Sequence, residues 1–260
     1  MTQVLVTRPE QDAASWVTSL ENAGFEAIQF PLLDLKPVLG PQDVESVLEK
    51  IQSSQAVMFV SANAVRFLAQ ALNVRPEWIA HFNDNARAWC TGPGTAAALI
   101  ACGFQENQID QPHSEANQLD SEALWQVVQQ QVGPHLKALF IRGADETGAV
   151  AGRDWLANQL ITFGAQVDAL AAYQRQASQL SDDQIHQVQQ WVDQEAIWIF
   201  SSSACVQALV DQCHQVPWSN AKAVVTHPRI AALAQQLGWR NVSIAPPGMK
   251  AMLSSIKSLA

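Results

Sequence analysis

The stretch Ala86–Phe104, ARAWCTGPGTAAALIACGF, decides the fold because the chain says it twice: it aligns without a gap on Ala221–Trp239, AKAVVTHPRIAALAQQLGW. Thr91 falls on Thr226, Pro93 on Pro228 and Gly103 on Gly238. Working outward, AVMFVSANAV at Ala56–Val65 answers AIWIFSSSACV at Ala196–Val206, and VLVTR at Val4–Arg8 answers ALFIR at Ala138–Arg142. Each member of the last pair leads into a helix-like run ending in Gly24 or Gly164. Three successive strand–turn–helix blocks therefore occur twice. The period far exceeds the roughly 20–50 residues of solenoid repeats, so the duplicated unit is of domain size.

Strands alternating with helices of about 10–15 residues predict βαβ units and mostly parallel sheets. Right-handed crossovers then put every strand C-terminus on one edge, where ligands of open α/β sheets collect. Val4–Thr7 reads as a buried strand running into a turn at Arg8–Pro9. Ala13, Trp16, Val17 and Leu20 follow on one helical face, with Gly24 as the residue past its end. Leu156, Leu160 and Phe163 before Gly164, and Val206, Leu209, Val210 and Cys213, give further helical faces. Phe30–Pro37, FPLLDLKP, is bracketed by prolines, each forcing an extended residue before it. Ala169–Gln176, ALAAYQRQ, holds the matching place in the second copy. Both segments read either as ordinary sheet strands or as paired extended linkers between two lobes.

The 260 residues, 48% of them apolar, suffice for two modest domains or one large one. A net charge of −9 argues against general nucleic-acid binding, which needs a basic face, but not against small anions held in a locally positive cleft. The opening MTQVLVTRPEQD lacks a signal-peptide pattern, and no apolar run approaches the roughly 20 residues that span a bilayer. Cys90, Cys102, Cys205 and Cys213 form no CxxC pair and read as buried reduced thiols, which points to the cytoplasm. The six histidines are scattered, giving a metal site little support.

The predicted strands are followed by Thr7-Arg8-Pro9, Ser61-Ala62-Asn63, Thr91-Gly92-Pro93-Gly94-Thr95, Arg142-Gly143, Ser201-Ser202-Ser203 and Thr226-His227-Pro228. Taken singly, each reads most plainly as a helix N-cap. Taken together, they offer hydroxyls, amides or Arg and no carboxylate, which suits an anion held at helix N-termini. Arg8 and Arg142 stand at equivalent places, either as forks for a carboxylate or as partnerless surface arginines. There is no GxGxxG, no GxxxxGK[ST] and no GxSxG; Ser61, Ser201 and Ser202 have no motif-placed His, and His227 has no orienting acid. Chemistry here must rest on positioning, hydrogen bonding and one weak acid. Tyr173, the only tyrosine, is that candidate, since a phenol is protonated at neutral pH and can donate to a leaving oxygen. Its plainer fate is a strand tyrosine with an apolar body and a wet tip.

VTRP at Val6–Pro9, FVSANAV at Phe59–Val65, TGPGTAAAL at Thr91–Leu99, AAYQR at Ala171–Arg175, FSSSACV at Phe200–Val206 and VTHPRIAAL at Val225–Leu233 together resemble the uroporphyrinogen-III synthase family, in order and over nearly the whole chain. The resemblance implies two flavodoxin-like parallel-sheet α/β lobes joined by a two-stranded linker. Residues 1–36 with 174–260 would form one lobe and 37–173 the inserted other, with linkers near 31–38 and 169–176, so each sequence copy would straddle both. It implies conversion of hydroxymethylbilane, a linear tetrapyrrole, into uroporphyrinogen III with inversion of the last pyrrole ring and loss of water. No cofactor or metal is implied. A monomer is expected, with hydroxymethylbilane synthase as a transient donor and neither nucleic acid nor membrane as partner. The family's tyrosine, a proposed proton donor to the departing hydroxyl, matches Tyr173. Its serine and threonine positions fall on Ser61, Thr95, Ser201 or Ser202, and Thr226. With these, Thr7, Arg8, Ala62, Asn63, Arg142 and Gly143 make up the expected substrate-binding set. His227-Pro228-Arg229 and the proline in Gly92-Pro93-Gly94 depart from the family pattern. Two rival readings are a non-catalytic two-lobed sensor of an anionic ligand and a flavodoxin-like hydrolase, the latter disfavoured by the missing nucleophile–base motif.

Overall fold

A computed structural model describes residues 2–73, 78–82, 86–113, 119–151 (backbone only at 151), 154–246 and 248–260. The chain runs through β1 (Gln3–Val6), α1 (Glu10–Asn22), β2 (Glu26–Gln29) and β3 (Leu33–Pro37). Next come α2 (Val44–Ser53), β4 (Ala56–Phe59), α3 (Ala62–Ala71), β5 (Arg87–Cys90), α4 (Pro93–Ala101) and the short β6 (Ile109–Asp110). They are followed by α5 (Ser121–Val128), β7 (Lys137–Ala144), β8 (Val150–Ala151), α6 (Trp155–Thr162) and the long β9 (Gln166–Ala177). After these stand α7 (Asp182–Asp193), β10 (Ile197–Phe200), α8 (Ser203–Gln212), β11 (Lys222–Val225), α9 (Pro228–Gln236), β12 (Asn241–Ile244) and α10 (Met249–Leu259). The helices follow their apolar faces: α2 buries Val44, Val47, Leu48 and Ile51, spaced three and four apart. β4 and β10 are buried at every residue, as expected of central parallel strands covered on both faces.

The chain divides into two compact units, Met1–Leu35 with Gln176–Ala260, and Lys36–Arg175. In the first, the sheet order is β12-β11-β10-β1-β2, all pairs parallel. Counted along its own chain this is the doubly wound order 2-1-3-4-5. In the second, the order is β3-β9-β7-β4-β5-β6, with β8 antiparallel on β7. By the sequence repeat β7 answers β1, β4 answers β10 and β5 answers β11, so the second sheet has the same order, circularly permuted. Each sheet takes two of these strands from one sequence copy and three from the other.

β3 and β9 carry the chain across the boundary between the units. They are hydrogen-bonded neighbours, with Val38 N–H donating to Ala172 O at 3.2 Å and Ser178 N–H to Leu32 O at 3.1 Å, an antiparallel register. β9 is one continuous strand of 12 residues that includes Tyr173.

In the first unit strand alternation sorts the core onto the two sheet faces. Leu5, Trp198, Phe200, Ala223 and Val225 pack on one, where Trp218 and Trp239 stack at 4.9 Å. Val4, Val6, Ile197, Ile199 and Val224 pack on the other against Leu20, Met252 and Ile256. Trp239 falls on Phe104 in the repeat, and Phe104 is likewise an aromatic anchor, 4.9 Å from Phe82 and 5.8 Å from Trp78.

The edge of the second sheet is secured by a carboxylate. Asp110 on β6, 9% exposed, accepts from Arg87 Nε at 2.9 Å and Nη2 at 2.6 Å, from Trp89 Nε1 at 3.1 Å and from Gln131 Nε2 at 3.2 Å. Asp110→Asn would replace an acceptor with a donor among four donors. We expect a loss of about 2–4 kcal/mol, read by urea denaturation, because a buried partner is left unpaired. A loss below about 0.5 kcal/mol, the range of ordinary surface changes, would show that the carboxylate is dispensable.

Candidate functional site

The permuted order of the second sheet sets the C-terminal ends of β9, β7, β4 and β5 in a row. Tyr173 inside β9, then Arg142 and Gly143 inside β7 rather than after it as the sequence suggests, then Ser61 to Asn63 after β4 and Thr91 to Thr95 after β5 follow one another toward this edge. The chain runs outward from β4 in one direction and from β7 in the other. The β7/β4 boundary is thus a topological switch point, where open α/β sheets form their ligand crevice.

Tyr173 lies here, 1% exposed, beside Gly143 in the strand register. Its ring stacks on Phe67 of α3, with centroids 5.3 Å apart. On Gly143 a Cβ would stand 2.7 Å from the ring carbons, so only glycine leaves room for the ring. The hydroxyl is 3.2 Å from Ser61 Oγ and accepts from Arg175 Nη2 at 3.0 Å. Ser61 caps α3, its Oγ accepting from Ala64 N–H at 3.1 Å. The expected wet-tipped tyrosine is therefore an interior one, held in a slot that Gly143 opens and Phe67 covers. Gly143 serves as space for that ring.

The two equivalent arginines have different settings. Arg142 is 3% exposed, pairs with Asp154 Oδ1 at 2.6 Å and lies 4.7 Å over the Phe140 ring. It is neither a surface arginine nor an open clamp, because a buried guanidinium has to be paired. Asp154, at the N-cap of α6, brings a carboxylate to Arg142. Arg8 is half-buried, 4.2 Å over Trp16, and its Nε makes no hydrogen bond among the described residues. Burial pushes its guanidinium below the usual value, with Asp12 opposing the change.

In the first unit the switch point lies between β1 and β10, and the ends there are Thr7-Arg8 and Ser201-Ser202, with Thr226 after β11. Thr7 is fully buried and spends its hydroxyl on Ile199 O at 2.7 Å, locking β1 to β10 rather than facing a ligand. Ser202 caps α8 through Ala204 N–H at 3.2 Å; Ser201 and Thr226 are half-buried. His227 caps α9, its Nδ1 accepting from Arg229 N–H at 3.0 Å. Pro93 and Pro228 both occupy the first helical position, where no N–H is needed, so the proline costs that edge nothing. Asn63, 8% exposed, accepts from Arg66 Nη1 at 2.9 Å, Ala62 opens α3, and Thr95 lies 7% exposed in the first turn of α4.

Gly92 and Gly94 contrast with Gly143. A Cβ at either meets nothing within 4 Å among the described residues, and Gly92 has φ −164°, open to any residue. Gly92 is the N-cap of α4, a position that accepts glycine, and neither glycine is called for by packing.

Burial pushes the Cys90 and Cys213 thiols up to about 11, so they stay protonated at neutral pH. Among the described residues no group of His, Cys, Asp and Glu could hold a metal ion, and no helix is long and apolar enough to cross a membrane. Sequence reasoning passed over Phe67, Asp154 and Arg175. Only Arg175 had a legible signal, since residues two apart on a strand share a face.

The family model described as uroporphyrinogen-III synthase HemD matches residues 14–254. The uroporphyrinogen-III synthase of Escherichia coli (strain K12) is 26% identical over 247 residues, covering 93% of this chain and 94% of that protein. The Salmonella typhimurium protein of the same name is 27% identical over 252 residues, covering 93% and 94%. Among solved structures, that of uroporphyrinogen-III synthetase from Helicobacter pylori 26695 matches with a TM-score of 0.64 at 17% identity, each chain covered at 100%. A mutant uroporphyrinogen III synthase from the extreme thermophile Thermus thermophilus matches at 0.58 and 14% identity, covering 100% and 98%. At these identities the structures speak for the fold alone.

The glycines make the geometry testable. Gly143→Ala should cost about 1–3 kcal/mol, because the ring must move or the strand must bend. Gly94→Ala, in open space at a helix start, should melt at or above wild type. Thermal melts of the two variants decide this; equal melting temperatures would mean that the tyrosine ring does not sit over Gly143.

Proposed function

The chain belongs to the uroporphyrinogen-III synthase family, and we propose that it performs that family's reaction with Tyr173 and Ser61 at the reacting end of the substrate. The protein is a hydro-lyase of tetrapyrrole biosynthesis: it cyclises hydroxymethylbilane to uroporphyrinogen III, inverting the last pyrrole ring and losing water. The observation that carries this is the family match over residues 14–254. Neither the family nor the relatives favour a non-catalytic sensor.

The chemistry asks little of side chains. Departure of the hydroxyl gives an azafulvene, with the pyrrole nitrogen pushing out the leaving group, so no cofactor is required. The last ring attacks that carbon through its substituted position, a spiro intermediate fragments, and re-closure gives the inverted isomer. Unassisted closure gives isomer I, so the protein must chiefly control conformation. The substrate's eight carboxylates suit the first-turn amides of α3, α4, α8 and α9, with Ser61, Ala62, Asn63, Thr95, Ser201, Ser202 and Thr226 adding polar contacts. Arg8 supplies a positive charge, and the open backbone at Gly92 and Gly94 admits close approach. Thr7, Arg142 and Gly143, with their side chains or space already engaged, support these edges from within. In this reading the units Met1–Leu35 with Gln176–Ala260 and Lys36–Arg175 are the family's two lobes. The protein works as a monomer in the cytoplasm, where its free cysteines stay reduced, and receives its substrate from hydroxymethylbilane synthase.

Tyr173→Phe should lose about 10- to 10³-fold in kcat, toward the low side of what general acid assistance supplies, because azafulvene formation is intrinsically easy. The ring still packs, so stability should fall by only about 1 kcal/mol for the lost hydroxyl bonds. The residual product should remain isomer III. Freshly made hydroxymethylbilane, a melting curve and separation of porphyrin isomers test all three. Full activity in the variant would remove Tyr173 from the chemistry, and a wild-type protein yielding only isomer I would sink the functional reading.

A further inference from the structure

We propose that Arg175, Tyr173 and Ser61 form a directed proton relay. The Ser61 hydroxyl hands the proton to the departing group, and Arg175 is a positioning residue that holds the phenol's proton on the Ser61 side. The proposal rests on the reaction assigned above and concerns which group delivers the proton.

The direction follows from donor and acceptor capacity. A guanidinium has donors only, so the 3.0 Å contact from Arg175 Nη2 has to be received by the phenol oxygen. Tyr173 is 1% exposed, and among the described residues Ser61 Oγ at 3.2 Å is the acceptor within reach of its hydroxyl proton. Reversing that bond would leave a buried hydroxyl proton without an acceptor, which is costly. Ser61 Oγ also receives the Ala64 N–H at 3.1 Å, so its two lone pairs are filled and its own proton is left to point elsewhere. Tyr173 is interior while Ser61 and Arg175 are both half-buried, and of these two ends only the serine hydroxyl can both give a proton and take one back. Arg175 reaches the phenol because residues two apart on β9 share a face, and its guanidinium carbon lies 5.5 Å from the ring centroid.

The step balances in atoms and charge. As the C–O bond of the hydroxymethyl group breaks, its oxygen takes the proton of Ser61 Oγ and leaves as water. Ser61 takes the phenol proton, and the phenolate formed lies against the Arg175 guanidinium. Final aromatisation of the re-closed pyrrole releases one proton, which returns through Ser61 to Tyr173.

The test compares wild type with Arg175→Gln, Arg175→Lys, Tyr173→Phe, the double variant Arg175→Gln/Tyr173→Phe, and Ser61→Gly, which removes the hydroxyl but keeps a tolerated N-cap residue. Arg175→Gln should lower kcat about tenfold or more with KM unchanged, and Arg175→Lys should recover part of that. The double variant should be no slower than Tyr173→Phe alone, since Arg175 acts only through that oxygen. Ser61→Gly should be at least as slow as Tyr173→Phe. Independently of turnover, protein labelled with [13Cζ]tyrosine gives a single ring-carbon resonance, because Tyr173 is the only tyrosine, and it should shift in both Arg175→Gln and Ser61→Gly. An active wild type overturns the relay alone in any of three cases: the resonance stays put in both variants, the Arg175→Gln loss persists without the phenol, or that loss falls on KM as for a substrate carboxylate clamp. A wild type that makes no isomer III overturns the relay together with the function.

Discussion

Parallel pairing between strands of different sequence copies is the constraint on which the rest of the structure depends. β1 pairs with β10, bringing Val4 opposite Ile197, and Thr7 secures the join by donating to Ile199 O. β7 pairs with β4 in the same way within the second unit. Since parallel neighbours must be reached by crossovers of one hand, all the strand ends of each sheet share one edge. The polar turn residues that look scattered along the chain are thereby collected into two rows. The pairing has a kinetic side: the Lys36–Arg175 unit is continuous chain, while in the other unit β1 has no partner on its β10 side until β10 has been made.

Along these rows, neighbouring residues of similar type do different things because burial sorts them. Thr7 and Ser61 both follow a central strand. Thr7, fully buried, spends its hydroxyl within the sheet; Ser61, half-buried, accepts from Ala64 N–H and lies 3.2 Å from the Tyr173 hydroxyl. Arg8 and Arg142 are equivalent in the repeat, yet one lies over Trp16 at the edge and the other is neutralised by Asp154 inside it. Glycine divides likewise: Gly143 is required by the ring above it, and a Cβ at Gly92 or Gly94 would meet nothing within 4 Å among the described residues.

The catalytic proposal follows from a packing detail as much as from chemistry. Tyr173 is interior because β9 continues through it as a strand and because Gly143 removes the side chain that would occupy its place. Phe67 covers the ring, and Arg175 and Ser61 fix its hydroxyl from two sides. Orientation of such a weak acid supplies much of its assistance.

By itself the sequence determined the α/β class, the parallel sheets, the polar stretches after the strands in which helices begin, and the membership of the family. These rest on local periodicity, caps and repeated motifs, which neighbours along the chain are enough to specify. It also singled out Tyr173, Ser61 and the two arginines as the residues to watch. Only the tertiary structure decided what each of them touches. Asp154 pairs with Arg142 from another element, Phe67 and Gly143 enclose Tyr173 from a helix and a neighbouring strand, and Arg175 meets the phenol only because β9 stays extended. Those contacts join positions with no shared periodicity, and burial, which sets whether a polar group is engaged or free, is a property of the packed whole.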